Sequence, residues 1–110
     1  HEGPVSISKT NLNELKPGMV ISNEPGYYGS KFGIRIENLE LIQKVGNFLS
    51  FETLTLIPYE KKLIDKSLLS KTEINQINKY HKLVNEKIRP LINSRDGDLV
   101  NFLNSKTSIL

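Results

Sequence analysis

Two short stretches hold the residues best able to do chemistry: Asn23-Glu24-Pro25-Gly26-Tyr27-Tyr28 and, soon after, Phe32-Gly33-Ile34-Arg35-Ile36-Glu37-Asn38. Alternation along the second sends Phe32, Ile34 and Ile36 to one side of a strand. Gly33, Arg35 and Glu37 go to the other. If the two stretches pair as a hairpin, Glu24 and Glu37 reach the same side of the sheet. Charges inside an otherwise apolar strand are expensive to bury unless they are paired or bind a metal. Two carboxylates on neighbouring strands offer hard oxygen ligands to Mn²⁺, Mg²⁺ or Zn²⁺, and carboxylates bridge the ions of two-metal hydrolases. An ion pair of Arg35 with Glu24 or Glu37 explains the same residues without a metal, and such pairs are commoner in sheets than metal sites. Two glutamates alone are too few for a two-metal cage. Tyr27 and Tyr28 read as aromatics that anchor a loop or, for Tyr28 beside Glu24, as a group that orients the carboxylate.

The elements that must position these residues fall into two halves. Residues 1–58 are punctuated by Gly and Pro and carry strand-like runs, whereas 59–110 read as helical. Pro17-Gly18 is a turn signal ahead of a strand from Met19 to Glu24. Pro25-Gly26 and Gly29 read as a loop, followed by a second strand from about Phe32 to Val45. Gly46-Asn47 predicts a tight turn into a third strand, Phe48 to Ile57, closed by Pro58. Three consecutive strands with short links suggest an antiparallel meander. Asp65-Lys66-Ser67-Leu68-Leu69 suggests one short turn, and Ser70-Lys71-Thr72-Glu73 matches a capping box at a helix start. Ile74, Ile77, His81, Val84, Ile88 and Leu91 then form one apolar stripe, on which His81 reads as a packing histidine. Pro90 should end or kink that helix. Ser94 to Gly97 reads as a turn, and Leu99, Phe102 and Leu103 mark a short last helix.

Composition narrows the classes of function. The 110 residues contain no cysteine, which excludes disulfides, thiolate metal sites and cysteine nucleophiles. No apolar run approaches the ~20 residues of a membrane span, so no membrane partner is expected. Acids and bases balance over residues 1–50, so the whole net charge of +3 lies in the second half. There the lysines interleave with acids along a helix, the pattern of a solvated face rather than a phosphate-binding stripe. No nucleic-acid partner is expected. The chain opens on His1 and its single methionine is Met19, so it reads as a piece of something longer or the product of a broken frame.

The motifs His1-Glu2-Gly3-Pro4, Gly18-Met19-Val20-Ile21-Ser22-Asn23-Glu24-Pro25-Gly26-Tyr27-Tyr28 and Phe32-Gly33-Ile34-Arg35-Ile36-Glu37-Asn38 closely resemble the Xaa-Pro aminopeptidases (aminopeptidase P) of metallopeptidase family M24. Phe48-Leu49-Ser50-Phe51-Glu52-Thr53-Leu54-Thr55-Leu56-Ile57-Pro58, Leu63-Ile64-Asp65 and Asn78-Lys79-Tyr80-His81 resemble the extra C-terminal region of the longer members. The resemblance implies an α+β chain: the C-terminal part of a pita-bread catalytic fold over residues 1–47, then a helical C-terminal extension over 48–110. It implies two divalent metal ions, manganese first, with zinc or cobalt as alternatives. Glu24 would match the glutamate that ligates one metal and contacts the attacking hydroxide, and Glu37 the one that bridges both. His1 would match the histidine that steadies the substrate near the scissile carbonyl. Arg35 and Tyr28 would orient the carboxylates, as outer-shell groups do in metal sites generally.

The implied reaction releases the N-terminal residue from peptides whose second residue is proline, in the cytoplasm. The family's remaining ligands, two aspartates and a histidine, belong upstream of His1. The resemblance therefore makes the upstream part of the same catalytic domain a required partner, and an inactive isolated chain the expectation. Two alternatives stand beside it. One is half of a split enzyme, and the other is a non-catalytic module that binds a partner or forms a homodimer through the sheet edge and the Ile74–Leu91 stripe.

Overall fold

Pro17-Gly18 turns the chain into its first strand. Gly18 sits at φ +88°, a region that a side chain resists, and its N–H donates to the Ile42 carbonyl at 2.8 Å. The computed structural model describes residues 5–110. Five strands follow the turn: β1 (Val20–Asn23), β2 (Gly26–Tyr28), β3 (Gly33–Arg35), β4 (Asn38–Val45) and β5 (Phe48–Thr53). They form a three-stranded antiparallel sheet, ordered β1-β4-β5, and a two-stranded ladder of β2 with β3. Helices α1 (Lys71–Ile88) and α2 (Gly97–Thr107) complete an α+β chain. It divides into two compact units, one ending at Thr55 and one spanning Leu56–Leu110.

The first unit keeps the expected meander but corrects its details. The stretch read as a loop around Gly26 is itself a strand, and the long second strand is two, β3 and β4. Proline explains both. Pro25 has no N–H for the ladder, so pairing lapses for two residues on each chain. Its carbonyl still accepts from the Ile36 N–H at 3.1 Å. The true loop is confined to the link after Tyr28, closed by the Gly29 N–H donating to the Phe32 carbonyl at 2.9 Å. Gly46, at φ +60°, makes the two-residue turn between Val45 and Phe48. β5 ends at Thr53 rather than Ile57, because the Thr55 hydroxyl accepts from the Leu39 N–H at 2.9 Å where a backbone carbonyl would continue the ladder. Ile21 and Ile42 are buried on one face of the sheet.

The second unit follows its sequence signals closely. Two 3₁₀ turns, Lys61–Leu63 and Lys66–Leu68, are capped by Glu60 and Asp65. The Ser70–Glu73 capping box starts α1, and the two hydrogen bonds from Ser70 hold the Glu73 carboxyl below its ordinary value. α1 gives way at Arg89–Leu91 to a 3₁₀ turn containing Pro90, so Leu91 leaves the stripe and is 80% exposed. Asp96 caps α2 through the Leu99 N–H at 3.0 Å. Val84 and Leu103 are buried, and α1 packs against α2. Between the helices, the Asn85 side chain donates to Thr107 Oγ1 at 2.7 Å and Asn104 Oδ1 at 3.1 Å.

His81 is fully enclosed, as a packing histidine should be. Its Nε2 accepts the Tyr59 backbone N–H at 3.1 Å, which requires that nitrogen to be unprotonated. Burial pushes its pKa below the ordinary value; the Ser108 backbone opposes this, and the Lys61 charge reinforces it. Stability of this unit is therefore complete above the unfolded histidine pKa of about 6.5. It declines as pH falls below that value, because the unfolded chain then takes up a proton that the folded one refuses. Urea unfolding followed by helical circular dichroism should give a lower midpoint at about pH 5.5 than at about pH 7.5. His81→Gln should flatten that difference, and an unchanged acid loss in the variant would assign it to another group.

Candidate metal centre

The chemistry of the first unit is set by register. Asn23 pairs with Asn38, and Gly26 pairs with Arg35. Two residues lie between these pairs on each side, so the hairpin runs in one continuous register through the proline break, and Glu24 stands directly opposite Glu37. Cross-strand neighbours of like charge repel at this separation. Arg35 resolves the conflict. Its Nη1 lies 3.4 Å from a Glu24 oxygen and its Nη2 lies 3.0 Å from a Glu37 oxygen. The Glu37 carboxylate, with Tyr28 and then Glu24 behind it, holds the guanidinium still more firmly protonated than usual. Ser22 donates its hydroxyl to the other Glu24 oxygen at 2.8 Å.

Alternation assigns the faces as the sequence implied. Gly26, Tyr28, Gly33 and Arg35 share one face of the β2–β3 ladder, continuous with Glu24 and Glu37. Tyr27 and Ile34 lie on the other face, where the Tyr27 ring contacts Phe32 with centroids 5.7 Å apart. Glu24 and Glu37 are partly accessible, with side chains 29% and 36% exposed. The structure thus brings Glu24, Arg35, Glu37 and Tyr28 together. His1 lies outside the described residues.

The donor set suits a hard divalent cation in kind, since both candidates are carboxylates. It falls short in number: no group of three or more His, Asp or Glu able to hold a metal occurs among the described residues. The ion pair and the metal readings are therefore not exclusive. Arg35 neutralises two carboxylates whose placement also suits ligation. One feature escaped sequence reasoning. Glu40, which belongs to no motif of the sequence, is buried at 6% exposure, and its Oε2 has no hydrogen-bond partner among the described residues. It pairs with Ile21 on the face opposite to Ser22 and Glu24, so it does not belong to this cluster. The apolar alternation around it carries no signal that an acid would be turned inward.

Comparison with known proteins gives the chain's family and fold. Residues 1–44 match the model of metallopeptidase family M24, and residues 47–110 match that of the C-terminal region of the same family. The chain is 45% identical to Xaa-Pro aminopeptidase 1 of Dictyostelium discoideum, over 96% of its own length and 19% of that protein's. It is 48% identical to aminopeptidase P2 of Arabidopsis thaliana, over 84% of this chain and 14% of the other. The X-prolyl aminopeptidase of Caenorhabditis elegans, a cytosolic enzyme with a di-nuclear active site, superposes with a TM-score of 0.79 at 36% identity. That match covers 100% of this chain and 19% of the other. The chain thus spans about a fifth or less of the length of these relatives.

Removing Arg35 leaves two carboxylates facing each other without the one described cation that touches both. Arg35→Gln should lower the thermal midpoint of the strand unit, and raising salt from ~0.05 M to ~1 M, where the Debye length falls to about 3 Å, should recover part of the loss. The double variant Arg35→Gln/Glu37→Gln should recover more than either condition. Equal midpoints for Arg35→Gln and wild type at low salt would show that the opposed carboxylates do not repel.

Proposed function

The chain belongs to metallopeptidase family M24, and on that premise we propose that it is the C-terminal part of a two-metal Xaa-Pro aminopeptidase. Residues 1–47 then complete the catalytic domain and 48–110 form the C-terminal region. The observation that carries the reading is the register that sets Glu24 against Glu37 with Arg35 between them. Those two carboxylates would hold the metals, with Glu37 bridging. When bound, the ions supply Lewis acidity toward the scissile carbonyl and an activated water. Manganese is the proposed metal, and the cytoplasm is the proposed location, in line with the cytosolic relative from C. elegans.

The chain's own residues orient and neutralise. Ser22 fixes one oxygen of Glu24, and Arg35 fixes the other along with one oxygen of Glu37. Both carboxylates are thereby aimed before any cation arrives, and such preorganisation is what electrostatic catalysis requires. Tyr28 steadies Arg35. His1 would steady the substrate near its scissile carbonyl. The substrate is a peptide with proline in second place, cut after its first residue.

The remaining ligands would come from the preceding part of the catalytic domain. Its docking is supported by the face that carries Glu24 and Glu37. There Val20, Leu39, Val45 and Phe48 are 52%, 47%, 58% and 80% exposed, an apolar surface of the kind that another layer of structure covers.

Calorimetric titration of this chain with Mn²⁺ should show weak binding without two tight sites, and the chain alone should leave Xaa-Pro peptides uncut. Mixing it with a polypeptide carrying the two aspartates and the ligand histidine should restore cleavage, which Glu37→Gln should abolish. Two tight sites in the isolated chain, or cleavage that survives Glu37→Gln, would overturn the reading.

A further inference from the structure

The face shared by Gly26, Tyr28, Gly33 and Arg35 holds one large ring over two residues without side chains. Tyr28 is paired with Gly33, and Gly26 is paired with Arg35. The ring crosses the ladder on the diagonal. A Cβ on Gly33 would lie 2.7 Å from Tyr28 Cδ1, at the root of the ring. A Cβ on Gly26 would lie 2.9 Å from Cε2 and 3.0 Å from the hydroxyl, at its tip. Such distances are closer than side-chain carbons approach other atoms, so alanine at either position displaces the ring. Both glycines lack positive φ; what they supply is space, not an unusual backbone. Because the tip lies over Gly26, the hydroxyl arrives beside the residue paired with Gly26, which is Arg35.

We infer that Gly26 and Gly33 are positioning residues. Together they form a floor on which the Tyr28 ring lies flat, and the ring so placed holds the Arg35 guanidinium between Glu24 and Glu37. The chain of contact runs from floor to ring, from ring to guanidinium, and from guanidinium to carboxylates. A methyl group added at the floor therefore acts on the metal ligands without touching them. The part of the inference that concerns metal rests on the aminopeptidase reading above, and the part that concerns Arg35 does not.

Nuclear magnetic resonance on this chain tests both parts. The Gly26 and Gly33 Hα signals should be shifted upfield by the ring current, and Tyr28→Ala should abolish the shift. Tyr28→Phe should keep the shift while speeding solvent exchange of the Arg35 Nε–H several-fold. Gly33→Ala should speed that exchange as well. It should also raise by several-fold the Mn²⁺ concentration that broadens the Glu24 and Glu37 signals. In Tyr28→Ala/Gly33→Ala the added methyl should cost nothing beyond Tyr28→Ala alone. If Gly33→Ala by itself unfolds the hairpin, the double variant should restore the β1–β4 amide spectrum, because the clashing ring is gone. Additive effects of the two substitutions, or wild-type Arg35 exchange in Gly33→Ala, would overturn the inference. Absence of Mn²⁺ broadening at Glu24 and Glu37 in the wild-type chain would remove the metal part of the inference, with the Arg35 exchange still deciding the role of the glycines.

Discussion

The constraint on which the first unit depends is the placement of two negative charges face to face. A continuous antiparallel register puts Glu24 opposite Glu37, where two exposed carboxylates would push their strands apart. The same interval carries Pro25, which cannot donate to the ladder. The hairpin is therefore weakest, in both charge and hydrogen bonding, where Glu24 faces Glu37. Pairs on either side hold it closed: Asn23 with Asn38, and Gly26 with Arg35. On the proposed reading, the metal ligands would occupy a local weakness that the flanking ladder makes tolerable.

The second unit has no comparable conflict. Each of its ends is fastened by polar contacts of a conventional kind. The Tyr80 hydroxyl donates to the Ile57 carbonyl at 2.8 Å, and the Tyr59 and Tyr80 rings stack with centroids 4.8 Å apart. At the other end Lys106 pairs with Glu60 at 2.6 Å, and Lys61 donates to the Ser105 carbonyl at 2.9 Å and to the Ser108 hydroxyl. The segment Ile57–Lys61 is thus tied both to α1 and to the end of α2. These are the contacts of a supporting module, with its one buried titratable ring, His81, used for packing.

How much could be read in advance follows from which signals are local. The α1 start was legible because Ser70 and Glu73 lie three residues apart and satisfy each other's backbone groups without help from elsewhere. The end near Pro90 was legible for the same reason. Alternation from Phe32 to Glu37 announced which side Arg35 and Glu37 would share. The β2 strand was not legible, because Pro25, Gly26 and Gly29 carry turn signals, and only pairing with Gly33–Arg35 makes a strand of them. Nor was the exposure of Leu91, which continues the apolar spacing but lies beyond the proline. The opposition of Glu24 and Glu37 depends on register across a loop, a long-range property that spacing along one strand cannot supply. Burial of Glu40 is of the same kind.

Arginine, rather than lysine, is required between the two carboxylates for a geometric reason. A planar guanidinium presents separate nitrogens, and here Nη1 takes Glu24 while Nη2 takes Glu37. A lysine ammonium is one point charge and would favour one partner, leaving the other unneutralised. The fork also limits how much of each carboxylate it consumes. Arg35 approaches Glu37 through its Oε2 at 3.0 Å. Among the described residues, Glu24, Arg35 and Glu37 amount to two anions and one cation, a set that still attracts a further cation. The arrangement thus holds the strands together while leaving these three groups net negative. Salt bridge and metal ligand, which appear as rival readings of Glu24, Arg35 and Glu37 in the sequence, are compatible with one geometry.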